Sequence, residues 1–107
     1  MSNGQDERRV KLDLNNPEFQ ESLFALDKTE RNRVVDTLTK IYRMTWTQAY
    51  QHPGLKWEEI KSPSAHLQPG EKIYSIRISQ ARRAVVTRRG DFMRFLTLPP
   101  DHDSTYQ

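Results

Sequence analysis

The stretch YSIRISQARRAVVTRRGDFMRFL, residues Tyr74–Leu96, alternates apolar and polar side chains over three successive segments. A period of two residues is typical of β-strands that have one buried face and one solvent-exposed face. Gln80-Ala81 and Arg89-Gly90 separate the segments, and Gly90 can supply the positive φ that a tight hairpin needs. The pattern therefore predicts an antiparallel meander with strands near Tyr74–Ser79, Arg82–Thr87 and Asp91–Leu98. Pro99-Pro100 ends it, because proline cannot extend the hydrogen-bond ladder.

The sequence before the meander predicts one strand and two helices. A first strand is indicated by apolar residues at every second position, namely Val10, Leu12 and Leu14. Asn16 is a capping residue and Pro17 suits the first helical turn, so a short helix is expected over about residues 17–26. A capping box that starts at Asp27 begins a second helix, whose apolar stripe continues to His52. The loop at residues 54–72 is expected to contain a short strand near Leu55–Ile60.

This order of elements predicts an α+β fold: a strand, a helical hairpin, and an antiparallel sheet of three to four strands with helices on one face. Alternation places Ile76 and Ile78 beneath the helices and Arg77 on the uncovered face. If the next strand pairs in register, Arg83 emerges on the same side as Arg77 and Arg82 does not. We expect a flexible leader at residues 1–6 and a single domain over residues 7–107.

Basic side chains are concentrated in one part of the 107-residue chain, which has a net charge of +3. The 23 residues from Lys72 to Arg94 hold seven basic side chains and one acid, a net charge of +6, whereas the remainder sums to −3. Such asymmetry indicates a polyanion or an acidic protein as the partner.

Other features of the composition exclude several classes of protein. The chain has no cysteine, which excludes disulfides and thiolate metal sites, and it has no apolar run of 18 residues that could span a membrane. The start, MSNGQDERR, lacks the hydrophobic segment of a signal peptide. We therefore expect a cytoplasmic protein without a membrane contact, a metal or another cofactor.

The arginines and the tail suggest a specific chemistry. A guanidinium binds a phosphate through two hydrogen bonds and keeps its charge, so Arg77 and Arg83 could hold one phosphodiester. If the tail folds back, His102, Asp103 and Tyr106 come near them. A base that deprotonates a 2′-hydroxyl and an acid that protonates the leaving 5′ oxygen would then cleave RNA without a metal.

Simpler roles are expected for three other residues. Arg88 and Arg89 flank a turn and are expected to be solvated. His52 is expected to be structural, because a cation is favourable near the C-terminal end of a helix dipole.

With these motifs in order, the chain resembles the RelE/ParE superfamily of bacterial toxins. The matching stretches are PGLKWEEI (Pro53–Ile60), YSIRIS (Tyr74–Ser79), RRAVV (Arg82–Val86), GDFMRFL (Gly90–Leu96) and DHDSTY (Asp101–Tyr106). The resemblance implies the fold expected above and, for RelE-like members, an endoribonuclease that cuts mRNA at the ribosome and is inhibited by a cognate antitoxin.

Carried over to this sequence, the resemblance implies roles for individual residues. The implied catalytic residues are Arg77, Arg83, His102 and Tyr106, supported by Asp103. Further RNA-binding candidates are Lys56, Lys72, Arg82 and Arg94. Arg82 stands where the family usually has an aromatic residue, and Leu98-Pro99-Pro100 replaces a glycine-containing approach to the histidine. The alternative is a non-catalytic member, either a ParE-like inhibitor of DNA gyrase or an inactive relative that only binds a partner.

Overall fold

A computed structural model describes residues 6–61 and 70–99 and contains three helices and five strands within those ranges. In chain order the elements are β1 (Lys11–Asp13), α1 (Pro17–Phe24), α2 (Lys28–Tyr42), α3 (Trp46–Gln51), β2 (Glu58–Glu59), β3 (Ile73–Arg77), β4 (Arg83–Arg89) and β5 (Phe92–Thr97). The strands form one sheet in the order β1-β5-β4-β3-β2. The α+β class, the meander and the short strand before it are confirmed. None of the described helices is long and apolar enough to cross a lipid bilayer.

The sheet is larger than the expected three to four antiparallel strands, and it is mixed. β1 pairs in parallel with β5, whereas β2, β3, β4 and β5 pair with their neighbours in antiparallel fashion. The N–H of Lys11 donates to the carbonyl of Asp91 at 2.9 Å, which continues this parallel contact. Alternation identifies a strand but not its distant partner, and this pairing joins residues about 80 positions apart.

The second helix is interrupted, so the prediction of one helix from Lys28 to His52 was wrong. Thr45 caps α3 through a capping box, accepting from the N–H of Gln48 while the side chain of Gln48 accepts from the N–H of Thr45. Around the break, the Met44 carbonyl accepts from Val10 N–H and Trp46 N–H donates to the Arg8 carbonyl, each at 2.9 Å. The N-terminal segment thus forms hydrogen bonds with the backbone groups of Met44 and Trp46, which in a continuous helix would be bonded to other residues of that helix.

The helices cover one face of the sheet and enclose a single apolar core. The core includes Phe19, Val34, Ile41, Trp46, Ile76, Ile78, Ala84, Val86, Met93 and Phe95, all fully or almost fully buried. The rings of Phe19 in α1 and Phe95 in β5 are 5.4 Å apart between centroids. Burial of Ile76 and Ile78 confirms which face of β3 the helices cover. The opposite face carries Arg77, Arg83, Arg89 and Arg94 of the meander.

Arg88 lies on the helix-covered face of β4, so the expectation that it is a solvated turn residue was wrong. Its side chain is only 19% exposed, and its guanidinium carbon lies 4.0 Å from the ring centroid of Trp46. The guanidinium donates to the hydroxyl of Tyr50 at 2.8 Å, to a carboxylate oxygen of Asp6 at 2.7 Å and to the carbonyl of Gly90 at 2.7 Å. Arg88 therefore joins α3, the β4–β5 turn and the N-terminal segment.

The Asp6–Arg88 contact predicts an acid-sensitive contribution to stability. Hydrogen bonds from Arg8 and then from Arg88 hold the pKa of the Asp6 carboxyl well below its ordinary value. A lowered native pKa stabilises the fold above the unfolded value, near pH ~4, and this contribution is lost as the pH falls toward the native pKa. We expect Asp6→Asn to lower the urea midpoint at pH 7 and to converge with the wild type in strong acid. A constant difference between the two urea midpoints from pH 7 to pH 2 would contradict this account.

Candidate nucleic-acid interface

Arg77 and Arg83 occupy directly opposite positions on the antiparallel strands β3 and β4. Opposite residues of such a pair project from the same face, and the adjacent pair Ile76–Ala84 is buried beneath the helices. The register therefore starts both arginines on the face that the helices leave uncovered, while the Nε of Arg77 is buried and the residue also lines a groove beside the helices. This is the arrangement that the alternation pattern predicted.

Arg83 is held in a defined position by its neighbours. Its Nε donates to the hydroxyl of Ser75, and its Nη2 lies 3.4 Å from a carboxylate oxygen of Glu58 and 3.5 Å from the carbonyl of Lys56. The Arg83 side chain is 17% exposed, whereas that of Glu58 is 71% exposed. An ion pair with one solvated partner is weak, so the Glu58 carboxylate contributes little to the position of Arg83.

Arg77 borders a second feature, a groove of about 200 Å³ between β3 and the helices. Lys40 of α2, His52 at the end of α3 and Leu55 line this groove together with Arg77. The N–H of Gly54 donates to Nδ1 of His52 at 3.0 Å, which leaves Nε2 as the proton-bearing nitrogen of the neutral ring. Sequence reasoning gave His52 only a role at the helix end. Its position before Pro53-Gly54, where the chain turns back toward the sheet, was the available signal of its place beside β3.

The remaining basic candidates have different surroundings on the strands and loops around Arg77 and Arg83. Lys56 is exposed and has a φ of 50°. Its backbone carbonyl accepts a hydrogen bond from Arg83. Lys72 is exposed immediately before β3. Arg82 donates to the carbonyl of Leu98 at 3.1 Å. Arg94 lies on the uncovered face, where its Nε is 3.7 Å from a carboxylate oxygen of Asp13.

The C-terminal candidates His102, Asp103 and Tyr106 lie outside the described residues. The described chain ends at Pro99, whose carbonyl accepts from the N–H of Arg83 at 3.0 Å. The backbone that leads into the tail is thus hydrogen-bonded to one of the two paired arginines.

Comparison with known proteins finds similarity in structure rather than in sequence. No protein-family model matches the sequence, and no curated protein is significantly similar to it. The structure is similar to a chain of the archaeal RelE–RelB complex from Pyrococcus horikoshii OT3, with a TM-score of 0.57 and 14% sequence identity over 88% of this chain and 94% of that chain. A copper-bound mutant toxin from Helicobacter pylori also matches, with a TM-score of 0.47 and 20% identity over 91% of this chain and 99% of that chain. The chain therefore has a RelE-like α+β fold.

Proposed function

We propose that the chain is the toxin of a toxin–antitoxin pair and that it cuts mRNA at the ribosome in the cytoplasm, without a metal ion, so that translation stops. The observation that carries this proposal is the pairing of Arg77 with Arg83 on the uncovered face of the sheet. Two guanidinium groups on rigid neighbouring strands suit the binding of one phosphodiester, because each can donate two hydrogen bonds to its oxygens.

In the proposed reaction the RNA supplies its own nucleophile. A base removes the proton from a 2′-hydroxyl, the oxygen attacks the adjacent phosphorus, and an acid protonates the departing 5′ oxygen. Arg77 and Arg83 stabilise the extra negative charge on the five-coordinate phosphorus, a contribution of about 10²–10³-fold for a well-placed donor. His102 is the proposed proton carrier, with Tyr106 as a second candidate and Asp103 as its support.

The end of the described chain supports this assignment. The carbonyl of Pro99 is hydrogen-bonded to the backbone of Arg83, and His102 follows three residues later. Three peptide units extend at most about 11 Å, so covalent geometry alone keeps the Cα of His102 within that distance of the Cα of Pro99. This limit is compatible with a proton carrier that acts on a phosphate held by Arg83.

A protein inhibitor is part of the proposal. One structural neighbour comes from a RelE–RelB complex, which supports a cognate antitoxin as the partner of this chain. The strongly basic meander suits an antitoxin segment that carries acidic side chains.

The contact between Arg83 and Glu58 supports a second candidate function, a non-catalytic protein that binds a partner such as DNA gyrase. Arg83 already accepts a carboxylate as its counter-ion, so the carboxylate of a partner protein could take the same position. The two functions differ in one cellular outcome, because only the first degrades mRNA.

Induction of the chain alone should arrest growth and cut cellular mRNA, and Arg83→Ala should relieve both effects. We expect this variant to lower the cleavage rate by at least about 10²-fold, because a charge donor to the phosphate is lost. Arg83→Lys should restore the charge but only part of the rate, since an ammonium cannot form the two-pronged contact. The measurements are growth after induction and mapping of mRNA 5′ ends.

Arg43→Ala is the matched control, because this exposed arginine lies at the end of α2 in the helical layer, and it should remain fully toxic. Circular dichroism of each purified variant distinguishes a lost function from a lost fold. Growth arrest with intact mRNA and damaged DNA would refute the nuclease and favour the gyrase inhibitor.

The tail predicts a pH dependence. If His102 moves a proton, the cleavage rate must change around pH ~6.5, the ordinary pKa of histidine. His102→Gln should lower the rate by about 10²–10⁴-fold and make the remaining activity independent of pH in that region. Arg43→Ala, outside the interface, should keep both the rate and the pH profile. Unchanged cleavage by His102→Gln together with a loss in Tyr106→Phe would transfer the role to Tyr106.

A further inference from the structure

The far end of the uncovered face carries an aromatic ring between two cations. Phe92 begins β5 and lies opposite Lys11 of β1 on one side and Arg89 of β4 on the other. The three side chains form one row across three neighbouring strands, on the same face as Arg77 and Arg83. Sequence reasoning assigned Phe92 no role, because alternation alone does not distinguish an uncovered aromatic residue from a packed one.

The Phe92 ring is accessible rather than packed into a core. It is 46% exposed, and Lys11 Nζ lies 5.8 Å from the ring centroid, near the outer limit of a cation–π contact. Lys11 forms no ion pair with any residue in the described ranges.

Two acids near this row already have cationic partners. Glu71 is almost buried and accepts from Arg89 at 2.7 Å, and Asp13 lies 3.7 Å from Arg94. Both pairs leave their arginines partly exposed. The three cations Lys11, Arg89 and Arg94 and the two acids Glu71 and Asp13 therefore leave the region a net charge of +1.

We propose that Phe92 is a stacking platform for a base of single-stranded RNA, and that Lys11 and Arg94 bind the phosphates on either side of that base. An exposed aromatic ring on a sheet stacks with any base, and neighbouring cations hold the backbone that carries it. The inference rests on the proposed function, because it assumes that RNA already binds Arg77 and Arg83. It adds a second contact for the same strand of RNA.

The second contact requires an RNA of a minimum length. Arg83 and Arg89 are six residues apart on β4, which corresponds to about 20 Å along the strand. A dinucleotide held by Arg77 and Arg83 cannot reach Phe92, whereas an oligonucleotide of about ten nucleotides is long enough to do so. Its path would follow β5 past Arg94, because Thr87 of β4 is buried on this face. Removal of the Phe92 ring should therefore weaken binding of the long RNA and leave binding of the dinucleotide unchanged.

The test measures fluorescence-anisotropy affinities of the full chain for these two RNAs. Both carry 2′-O-methyl groups, which remove the attacking hydroxyl and prevent cleavage. Phe92→Leu keeps an apolar side chain but removes the ring, and it should weaken binding of the long RNA about tenfold. Phe92→Tyr should bind like the wild type. Phe24→Ala is the matched control, since this ring is 69% exposed at the end of α1, away from the sheet face, and should bind normally.

The possible outcomes separate this inference from the proposed function. If Arg83→Ala fails to bind both RNAs while Phe92→Leu binds both with wild-type affinity, the stacking site is refuted. The proposed nuclease function is then unaffected. If Phe92→Leu loses the same factor of affinity for the dinucleotide as for the long RNA, the stacking site is also refuted, because such a result would indicate a general disturbance of the fold. A wild-type chain that binds neither RNA overturns the inference whatever the result of the induction experiment.

Discussion

The register between β3 and β4 determines what each face of the molecule can do. It places Ile76 opposite Ala84 beneath the helices and, in the next pair, Arg77 opposite Arg83 on the uncovered face. A shift of one residue would exchange the faces, bury a guanidinium in the core and expose the apolar positions. The cost of burying an unpaired cation excludes that alternative, so the packing of the core fixes the position of the proposed phosphate site.

The helix-covered face contains its own arginine, and Arg88 shows how a cation is accommodated there. Trp46 covers the guanidinium, while Asp6, Tyr50 and the Gly90 carbonyl accept its hydrogen bonds. On the uncovered face Arg83 has a different setting, with one exposed carboxylate as its ion-pair partner. The same residue type is thus enclosed by aromatic rings and acceptors on one face of β4 and paired with a solvated carboxylate on the other.

Local sequence patterns predicted most of the fold and the pairing of the two central arginines. Alternation and turn residues located the meander, and Asn16 and Asp27 correctly marked the starts of two helices. The patterns missed contacts between distant segments. The break before α3 arises because residues 8–10 form hydrogen bonds with the backbone there. The burial of Arg88 depends on its contacts with Asp6 and Tyr50, which no local pattern around β4 reveals. The row of Lys11, Phe92 and Arg89 was missed for the same reason, since Lys11 is about 80 positions from Phe92 in the sequence.

The central claim is that Arg77 and Arg83 act on the same phosphate, and a double-mutant cycle tests it most directly. The RNA cleavage rates of the wild type, Arg77→Gln, Arg83→Gln and the double variant give the coupling between the two side chains. Residues that share one ligand are expected to be coupled by about 0.5–3 kcal/mol, so the double variant should lose less activity than the two single losses multiplied together. If the single losses multiply, with a coupling energy below about 0.3 kcal/mol, the two arginines act independently and do not form one phosphate site.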